Sequence, residues 1–506
     1  MMQTAADTEV PAASGKAAQI QEQLKQLRAA QKKWEQTALS ERAAICRRMK
    51  KHLSMNAARY AGVISAENGK TQLEALTQEI IPALDTLDFL ARSSELILKP
   101  QKIRLHTRQF YFKGKQNFYQ YQPYGIIGIL GTWNYAFFLS MTQAVFALVA
   151  GNAVYLKSSE LSGEVNKLIN ELLNAGGFPE GSYICVCEGA EFGSAFVATG
   201  CDKYILTGAK KTGKAVQKVL SENSVSSVME LSGCDPYVVF PDADFDLALR
   251  SLIWASYQYS GQTCVAPRRL IVQQQDRERC VKIFRKHFDN CAEFIASQGK
   301  LRSEKQAAAE RQKVNSLIQQ GGRIEAGRFD AAAAGAQFNP VLISGVSNDV
   351  LRDMDFMAPV IFLIEGSDTD DMIRLASDSE SALGASVWTR NRQFAAQAAT
   401  QIPAGQLWVN DGFFSVAVGS VGFGGFKASG FGKTRGKAGL LEMVQEKFVS
   451  YDTRKKRLTP QLPPYQRESF EIVNGLQKIL FSDGIWSKCK ASADFISVLM
   501  RSSKKS

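Results

Sequence analysis

The segment Ser260-Gly-Gln-Thr-Cys264 places one cysteine after a short run of small and polar residues. A thiolate is a strong nucleophile, and its attack on a carbonyl requires a donor for the oxyanion that forms. A lone cysteine is more often a packing residue, so its company decides the reading. Trp254, Tyr257 and Tyr259 precede it in an apolar, aromatic stretch that suits a helix leading into a pocket. Thirty-four residues before the cysteine, Val228-Met-Glu230-Leu-Ser-Gly233 sets a single carboxylate after an apolar run. A charge so placed is either a salt-bridged residue at a domain junction or a candidate general base. A third element is Thr207-Gly208-Ala-Lys-Lys-Thr-Gly213-Lys214-Ala215, which follows the strand-like Lys203–Leu206. Glycines between strand and helix let backbone amides approach a phosphate, and a helix N-terminus favours the anion. The run nearly spells a P-loop, but Ala215 stands where the magnesium-binding hydroxyl belongs. A dinucleotide pyrophosphate fits this loop better than triphosphate chemistry does, and an ordinary tight turn is the plain alternative.

The surrounding pattern predicts what must hold these groups. From Ile20 to Leu98 apolar residues recur at helical spacing, and Pro100 follows as a stop signal. Phe110 and Phe112, then Tyr119 and Tyr121, alternate around Lys113-Gly-Lys-Gln, the pattern of a β-hairpin. Strands at Ile126–Leu130, Ala153–Leu156, Tyr183–Val186 and Lys203–Leu206 alternate with helices at Phe138–Val149, Glu164–Ala175, Phe192–Thr199 and Lys211–Leu220. Such alternation predicts a doubly wound parallel sheet. The apolar Pro236–Phe240 opens a second α/β unit running to about Asn410.

Composition narrows the functional classes. The 506 residues are 45% hydrophobic and 22% charged, as expected of a globular protein of several domains. Nine cysteines in so long a chain do not make a disulfide framework, and residues 1–15 lack an apolar leader, which points to a reducing cytoplasm. Cys185 and Cys187 lie in a β-like run and read as buried strand residues. Three widely spaced histidines offer no metal-ligand spacing. Tyr124–Leu156 carries no charge, yet glycines and polar residues divide it into a βαβ-like unit rather than a membrane span. The net charge of +12 is concentrated at one end: Arg454–Ser506 holds eleven Lys and Arg against four Asp and Glu. No nucleic-acid motif accompanies it. There Phe470, Val473, Leu476 and Ile479-Leu480 form a helical stripe, followed by Trp486, Phe495-Ile496 and Leu499-Met500. A basic, amphipathic tail suits an anionic membrane surface, or packing on its own or a neighbouring subunit.

Six ordered motifs now add up. They are Tyr124-Gly-Ile-Ile-Gly-Ile-Leu-Gly-Thr-Trp-Asn134, Gly151-Asn-Ala-Val-Tyr-Leu-Lys157-Ser-Ser-Glu160, Glu230-Leu-Ser-Gly233, Asp242-Ala-Asp244, Gly261-Gln-Thr-Cys264 and Gly422-Phe-Gly-Gly-Phe-Lys-Ala-Ser-Gly430. Together, over roughly residues 20 to 455, the chain resembles the aldehyde dehydrogenase superfamily of the NAD(P)-dependent, non-CoA-acylating type. The resemblance implies oxidation of an aldehyde to a carboxylic acid through a cysteine thiohemiacetal and thioester. Cys264 matches the nucleophile, Glu230 the base that activates water, and Asn134 the amide that holds the oxyanion. For the cofactor it implies Trp133 beside the cleft, Lys157 and Glu160 at the adenosine ribose, Gly208, Ala209 and Gly213 at the pyrophosphate, and Asp355 at the nicotinamide ribose. A carboxylate at Glu160 favours NAD, with NADP as the alternative. Thr132, Ser158, Ala209, Ser232, Asp355 and Met357 depart from the family's usual residues, so a catalytically weak paralogue acting as a binding or scaffold protein is the rival reading.

The fold implied is α/β, with a Rossmann-like NAD(P)-binding domain (1–105 and 123–230), an α/β catalytic domain (231–415) and a small β oligomerisation element (106–122 and 416–453). The basic tail is 454–506. A homodimer or tetramer is expected, located in the cytoplasm or peripherally at a membrane, with no metal and no nucleic acid.

Overall fold

The computed structural model describes residues 13–106, 115–452, 463 and 467–503. The chain divides into two compact units, Met1–Leu98 with Pro123–Gln445, and Lys99–Gln122 with Glu446–Ser506.

The larger unit holds two sheets. In the first, strands Ser226–Leu231, Lys203–Gly208, Ile126–Leu130, Ala153–Ser159 and Tyr183–Glu188 lie side by side in that order, all parallel. Every residue of Ile126–Leu130 and Ala153–Ser159 is buried, which is why Ile126–Leu130 and Ala153–Leu156 read as continuous apolar runs rather than alternating ones. The order reverses between Ile126–Leu130 and Lys203–Gly208, and a crevice opens beyond the carboxyl ends of strands at such a switch point. The loop after one strand carries Trp133 and Asn134, and the other strand ends at Gly208 with Ala209 just beyond. Gly430–Phe431 adds an antiparallel edge beside Ser226–Leu231. Cys185 and Cys187 lie on the outer strand Tyr183–Glu188 and are half-buried rather than buried, because only one neighbouring strand covers them.

The second sheet runs Arg323–Gly327, Val341–Ser344, Val360–Gly366, Arg269–Gln273, Pro236–Val239, Gly384–Trp388 and Gln406–Val409. It is parallel except for its first strand. Apolar clusters cover both faces, one around Val238, Ile271 and Phe362, the other around Tyr237, Leu249 and Leu270. Helices Ala13–Trp34, Leu39–Met55, Ala57–Asn68 and Ile81–Leu98 realise the helical N-terminal reading.

In the smaller unit, Gln101–Ile103 pairs antiparallel with Gln116–Pro123, and Val444–Tyr451 completes a three-stranded sheet. The sequence placed the first hairpin arm at Phe110 and Phe112, which lie outside the described residues; the arm observed is Gln101–Ile103. The tail forms two helices, Arg467–Phe481 and Ile485–Ser503. They pack closely enough that a Cβ on Gly475 would sit 2.7 Å from the Phe495 ring. Leu476 is buried, whereas Phe470 and Trp486, 76% and 89% exposed, leave the expected stripe divided. Arg454–Arg457, Pro460, Pro464, Lys504 and Lys505 lie outside the described residues.

The expected boundaries shift accordingly. Residues 416–445 belong to the larger unit, because Val416, Phe423 and Arg435 line its main cavity and Gly430–Phe431 extends its first sheet. The β element therefore begins at Lys99 and resumes at Glu446, and it shares a unit with the tail.

Candidate active site

Helix Phe245–Tyr257 ends in a turn that ordinary side chains rarely make. Tyr259, Ser260 and Gly261 follow with φ of 49°, 52° and 69°. Non-glycine residues held this way are disfavoured by about 1–3 kcal/mol each, so the surroundings must over-determine them. They do. The Tyr259 amide donates to Glu74 Oε1 at 2.8 Å, and the Ser260 amide to Gln298 Oε1 at 2.7 Å. The Gly299 amide donates to Ser260 Oγ at 2.9 Å, and buried Arg268 donates to the Gly261 carbonyl. A Cβ at Gly261 would lie 2.4 Å from the Ala358 carbonyl oxygen, so glycine is required there. Three residues on, Cys264 faces a cavity of about 780 Å³ that Glu230, Asn134, Trp133, Gly208, Ala209 and Asp355 also line.

Burial, with Glu230 and Asp235 nearby, pushes the Cys264 thiol up to about 12, which favours its protonated form.

Glu230 closes strand Ser226–Leu231 and is buried. Gly430 crosses directly opposite it with φ of 108°, where a Cβ would strike the Met229 carbonyl at 1.9 Å. That close crossing brings Thr434 to donate to Glu230 Oε1, while Thr207 donates to Oε2 at 3.4 Å. Gln143 Nε2 in turn donates to Thr207 Oγ1 at 3.0 Å. Burial raises the Glu230 carboxyl above its ordinary range, and the Thr434 hydroxyl and Arg435 charge oppose the rise. A raised carboxyl is the stronger base once ionised. Arg435 itself is buried between the Phe138 and Phe423 rings, 5.4 and 5.1 Å from their centres, and donates to the Val416 carbonyl.

Asn134 is held at both ends. Its Nδ2 donates to the Gln262 carbonyl at 3.0 Å, and the Thr132 hydroxyl donates to its Oδ1 at 2.8 Å. One amide proton is thus spent on the cysteine loop and the other is free for an oxyanion. Behind it, fully buried Lys70 donates to the Asn134 carbonyl at 2.8 Å and to Glu79. Glu79 Oε2 accepts from the Phe137 and Phe138 amides at 3.0 and 3.1 Å, at the start of helix Ala136–Val149. Glu79 sits on Leu76–Ile80, one wide helical turn of the kind often found at functional sites.

On the dinucleotide side, Ala209 is the N-cap of helix Lys210–Glu222 with no side-chain cap bond, so the first amides of that helix remain available to an anion. Asp355 accepts from the Ser232 hydroxyl through Oδ2, while its buried Oδ1 has no partner. An orphaned acceptor in the cleft fits a ribose hydroxyl. Lys157 and Glu160 end strand Ala153–Ser159 and its turn, 3.8 Å apart, outside the cavity but at the same carboxyl edge of the sheet. Gly213 does not line the cavity. It lies inside helix Lys210–Glu222, where a Cβ would meet Leu231 at 2.6 Å, so glycine there permits close helix–strand packing.

The sequence reading missed Thr434, Gln143, Lys70, Glu79 and Arg435. Glu79 left one trace, a lone carboxylate before Ile80-Ile81-Pro82 in an otherwise apolar helix face.

Comparison with known proteins adds three findings. Residues 5–449 match the family described as the aldehyde dehydrogenase family. A 4,4'-diapolycopene aldehyde oxidase from Methylomonas is 31% identical over 486 residues, covering 92% of this chain and 88% of that protein. A protein of Mycolicibacterium smegmatis, whose name proposes an NADP(+)-linked succinate-semialdehyde dehydrogenase, is 28% identical over 468 residues, 89% of each chain. The NAD+ complex of an aldehyde dehydrogenase from Bacillus cereus superposes with a TM-score of 0.79 at 25% identity, over 87% of this chain and 89% of the other.

Proposed function

The chain belongs to the aldehyde dehydrogenase family and oxidises an aldehyde with NAD(P)+, and on that premise we propose that Cys264 is its nucleophile, Glu230 its base and Asn134 its oxyanion donor. The scaffold reading has no support beside a family match of this extent. The observation that carries the assignment is one cavity lined by all three residues together with Gly208, Ala209 and Asp355.

Cys264 Sγ bonds to the aldehyde carbon, and its proton passes to Glu230, the buried carboxylate of the same cavity. The carbonyl oxygen takes up charge and accepts a hydrogen bond from the second Asn134 Nδ2–H, an interaction worth about 3–4 kcal/mol in sites of this type. The dinucleotide, when bound, supplies the hydride acceptor. Glu230 gives its first proton to solvent, then takes a proton from water as the new C–O bond forms and passes it to sulfur as the C–S bond breaks, which releases the acid and restores the thiol. Gly208 and Ala209 would hold the pyrophosphate through backbone amides, Lys157 and Glu160 the adenosine ribose, Asp355 the nicotinamide ribose, and Trp133 would line the cleft. Glu160 favours NAD, since its carboxylate repels a 2′-phosphate. NADH formation with aldehydes should be lost in Cys264→Ala; activity surviving that change overturns the nucleophile.

A second copy of the chain is proposed to dock on the three-stranded sheet, where the edge strand Val444–Tyr451 leaves Phe448 and Tyr451 exposed. Light scattering should give at least a dimer. The helices Arg467–Phe481 and Ile485–Ser503 are proposed to rest on anionic membrane, with exposed Phe470, Ile485 and Trp486 as the apolar contacts. Among the described residues no helix is long and apolar enough to cross a bilayer. Equal sedimentation of the full chain and a Leu458 truncation with anionic liposomes ends that proposal.

A further inference from the structure

The chemistry of the cavity wall bears on which aldehydes can enter. Cys264 packs into an apolar cluster with Trp254, Val265, Phe413, Val416 and Phe423. Trp254 stacks on Phe414 with ring centres 4.2 Å apart and planes 12° off parallel, while Phe414 remains 58% exposed. This lip is built rather than accidental. Phe413 is held at φ of 106°, an unusual conformation for a bulky side chain. The carboxylate of Asp411 secures it by accepting from the Phe413 and Phe414 amides at 2.9 and 2.6 Å. Leu73, also on the cavity wall, is 70% exposed.

The charges on the wall are unbalanced. Glu74, Glu230 and Asp355 line it, and among the described residues Arg435 is the one cation that does. Arg435 is only 3% exposed, wedged between two aromatic rings and engaged with the Val416 carbonyl. Its unpartnered Nε has almost no accessible surface. A distal carboxylate on the substrate would lose its water against this apolar wall and find no open cation.

We propose that the substrate is a neutral aldehyde with an extended apolar tail, which the Trp254–Phe414 stack grips, and that aldehydes bearing a distal carboxylate are rejected. The inference rests on Cys264 being the nucleophile, because that places the reacting end of the substrate.

The test is a series of n-alkanals from butanal to decanal beside the ω-carboxy aldehydes of equal length, with NADH formation as the readout. kcat/KM should rise roughly fourfold per methylene until the tail leaves the wall. At equal length the ω-carboxy aldehydes should fall by on the order of a hundredfold. Phe414→Ala should lower kcat/KM for decanal more than for butanal, mainly through KM. A flat alkanal series, or ω-carboxy aldehydes that match or exceed the alkanals, overturns the proposal. Binding of octanamide and its ω-carboxy counterpart to Cys264→Ser, followed by tryptophan fluorescence, separates the two readings. Preference for octanamide without turnover of any aldehyde in the wild type leaves the pocket assignment standing and sinks the nucleophile. Absence of that preference sinks the pocket assignment itself.

Discussion

The Ser232 hydroxyl donates to Asp355 Oδ2, joining two positions that the sequence resemblance marks as departures. The departures are thus partners. A shortened carboxylate needs a fixed direction, and the hydroxyl supplies it by occupying one oxygen while Oδ1 stays unpaired in the cleft. Removing a hydrogen bond to a charged group is worth about 1.5–3 kcal/mol. Ser232→Ala should therefore weaken NAD+ binding at least tenfold, and Ser232→Thr should recover most of it. Titration of NAD+ against intrinsic fluorescence reads both; unchanged affinity in Ser232→Ala would show that the bond does not position Asp355.

Cys264 offers a second test. Its thiol is pushed up to about 12 by burial and by two nearby carboxylates. A thiol with a raised pKa ionises only as pH climbs well past the ordinary thiol range, so the free enzyme should alkylate slowly at neutral pH. The rate with iodoacetamide should keep rising beyond pH 10 with no plateau below it. A plateau between pH 7 and 9 would mean that the resting enzyme already holds a thiolate.

Thr434 acts on the proposed base. Its hydroxyl donates to Glu230 and stabilises the charged form, against the burial that raises the carboxyl. Thr434→Val removes that donor, so the Glu230 pKa should rise further. The ionised base is present only above that pKa, and the acidic limb of the kcat profile should move to higher pH. Thr434→Ser should leave the limb in place. An acidic limb that does not move in Thr434→Val would detach this hydroxyl from the base.

These dependences bear on what could be read from the chain alone. Ile126–Leu130, Ala153–Leu156 and Tyr204–Leu206 were legible because the middles of central strands in a parallel sheet, covered on both faces, are apolar, and glycine or polar residues bracket them. Cys264, Glu230 and Asn134 were legible as members of ordered motifs. The second layer was not. Lys70 reaches Asn134 across 64 residues, and Thr434 reaches Glu230 across 204, contacts that no local pattern encodes. The packing of Gly213 on Leu231 was equally hidden, because a glycine near a phosphate loop looks the same whether it admits an anion or a leucine. The boundary at 416 failed for a related reason: the segment to Gln445 is short of regular structure, and its place is set by cavity contacts.

Lys70 and Glu79 form the deepest of these supports. The pair is fully buried, and the Lys70 ammonium also lies 3.8 and 4.3 Å from the Tyr135 and Tyr259 ring centres. Burial lowers the Lys70 pKa, and Glu79 opposes that shift. Breaking a buried pair by removing one partner typically costs about 3–5 kcal/mol, whereas replacing both with apolar groups is often neutral. If the pair served stability alone, Lys70→Met with Glu79→Leu would recover Tm and activity together. The hydrogen bonds predict otherwise. Lys70 holds the Asn134 carbonyl, and Glu79 holds the helix amides that follow it, so the double variant still loses what aims the Asn134 amide. Lys70→Met alone should fall in both Tm and kcat. The double variant should regain most of its Tm while kcat stays at least tenfold down and KM for the aldehyde changes little, because the missing interaction belongs to the oxyanion. Recovery of kcat in step with Tm would reduce the pair to a structural role.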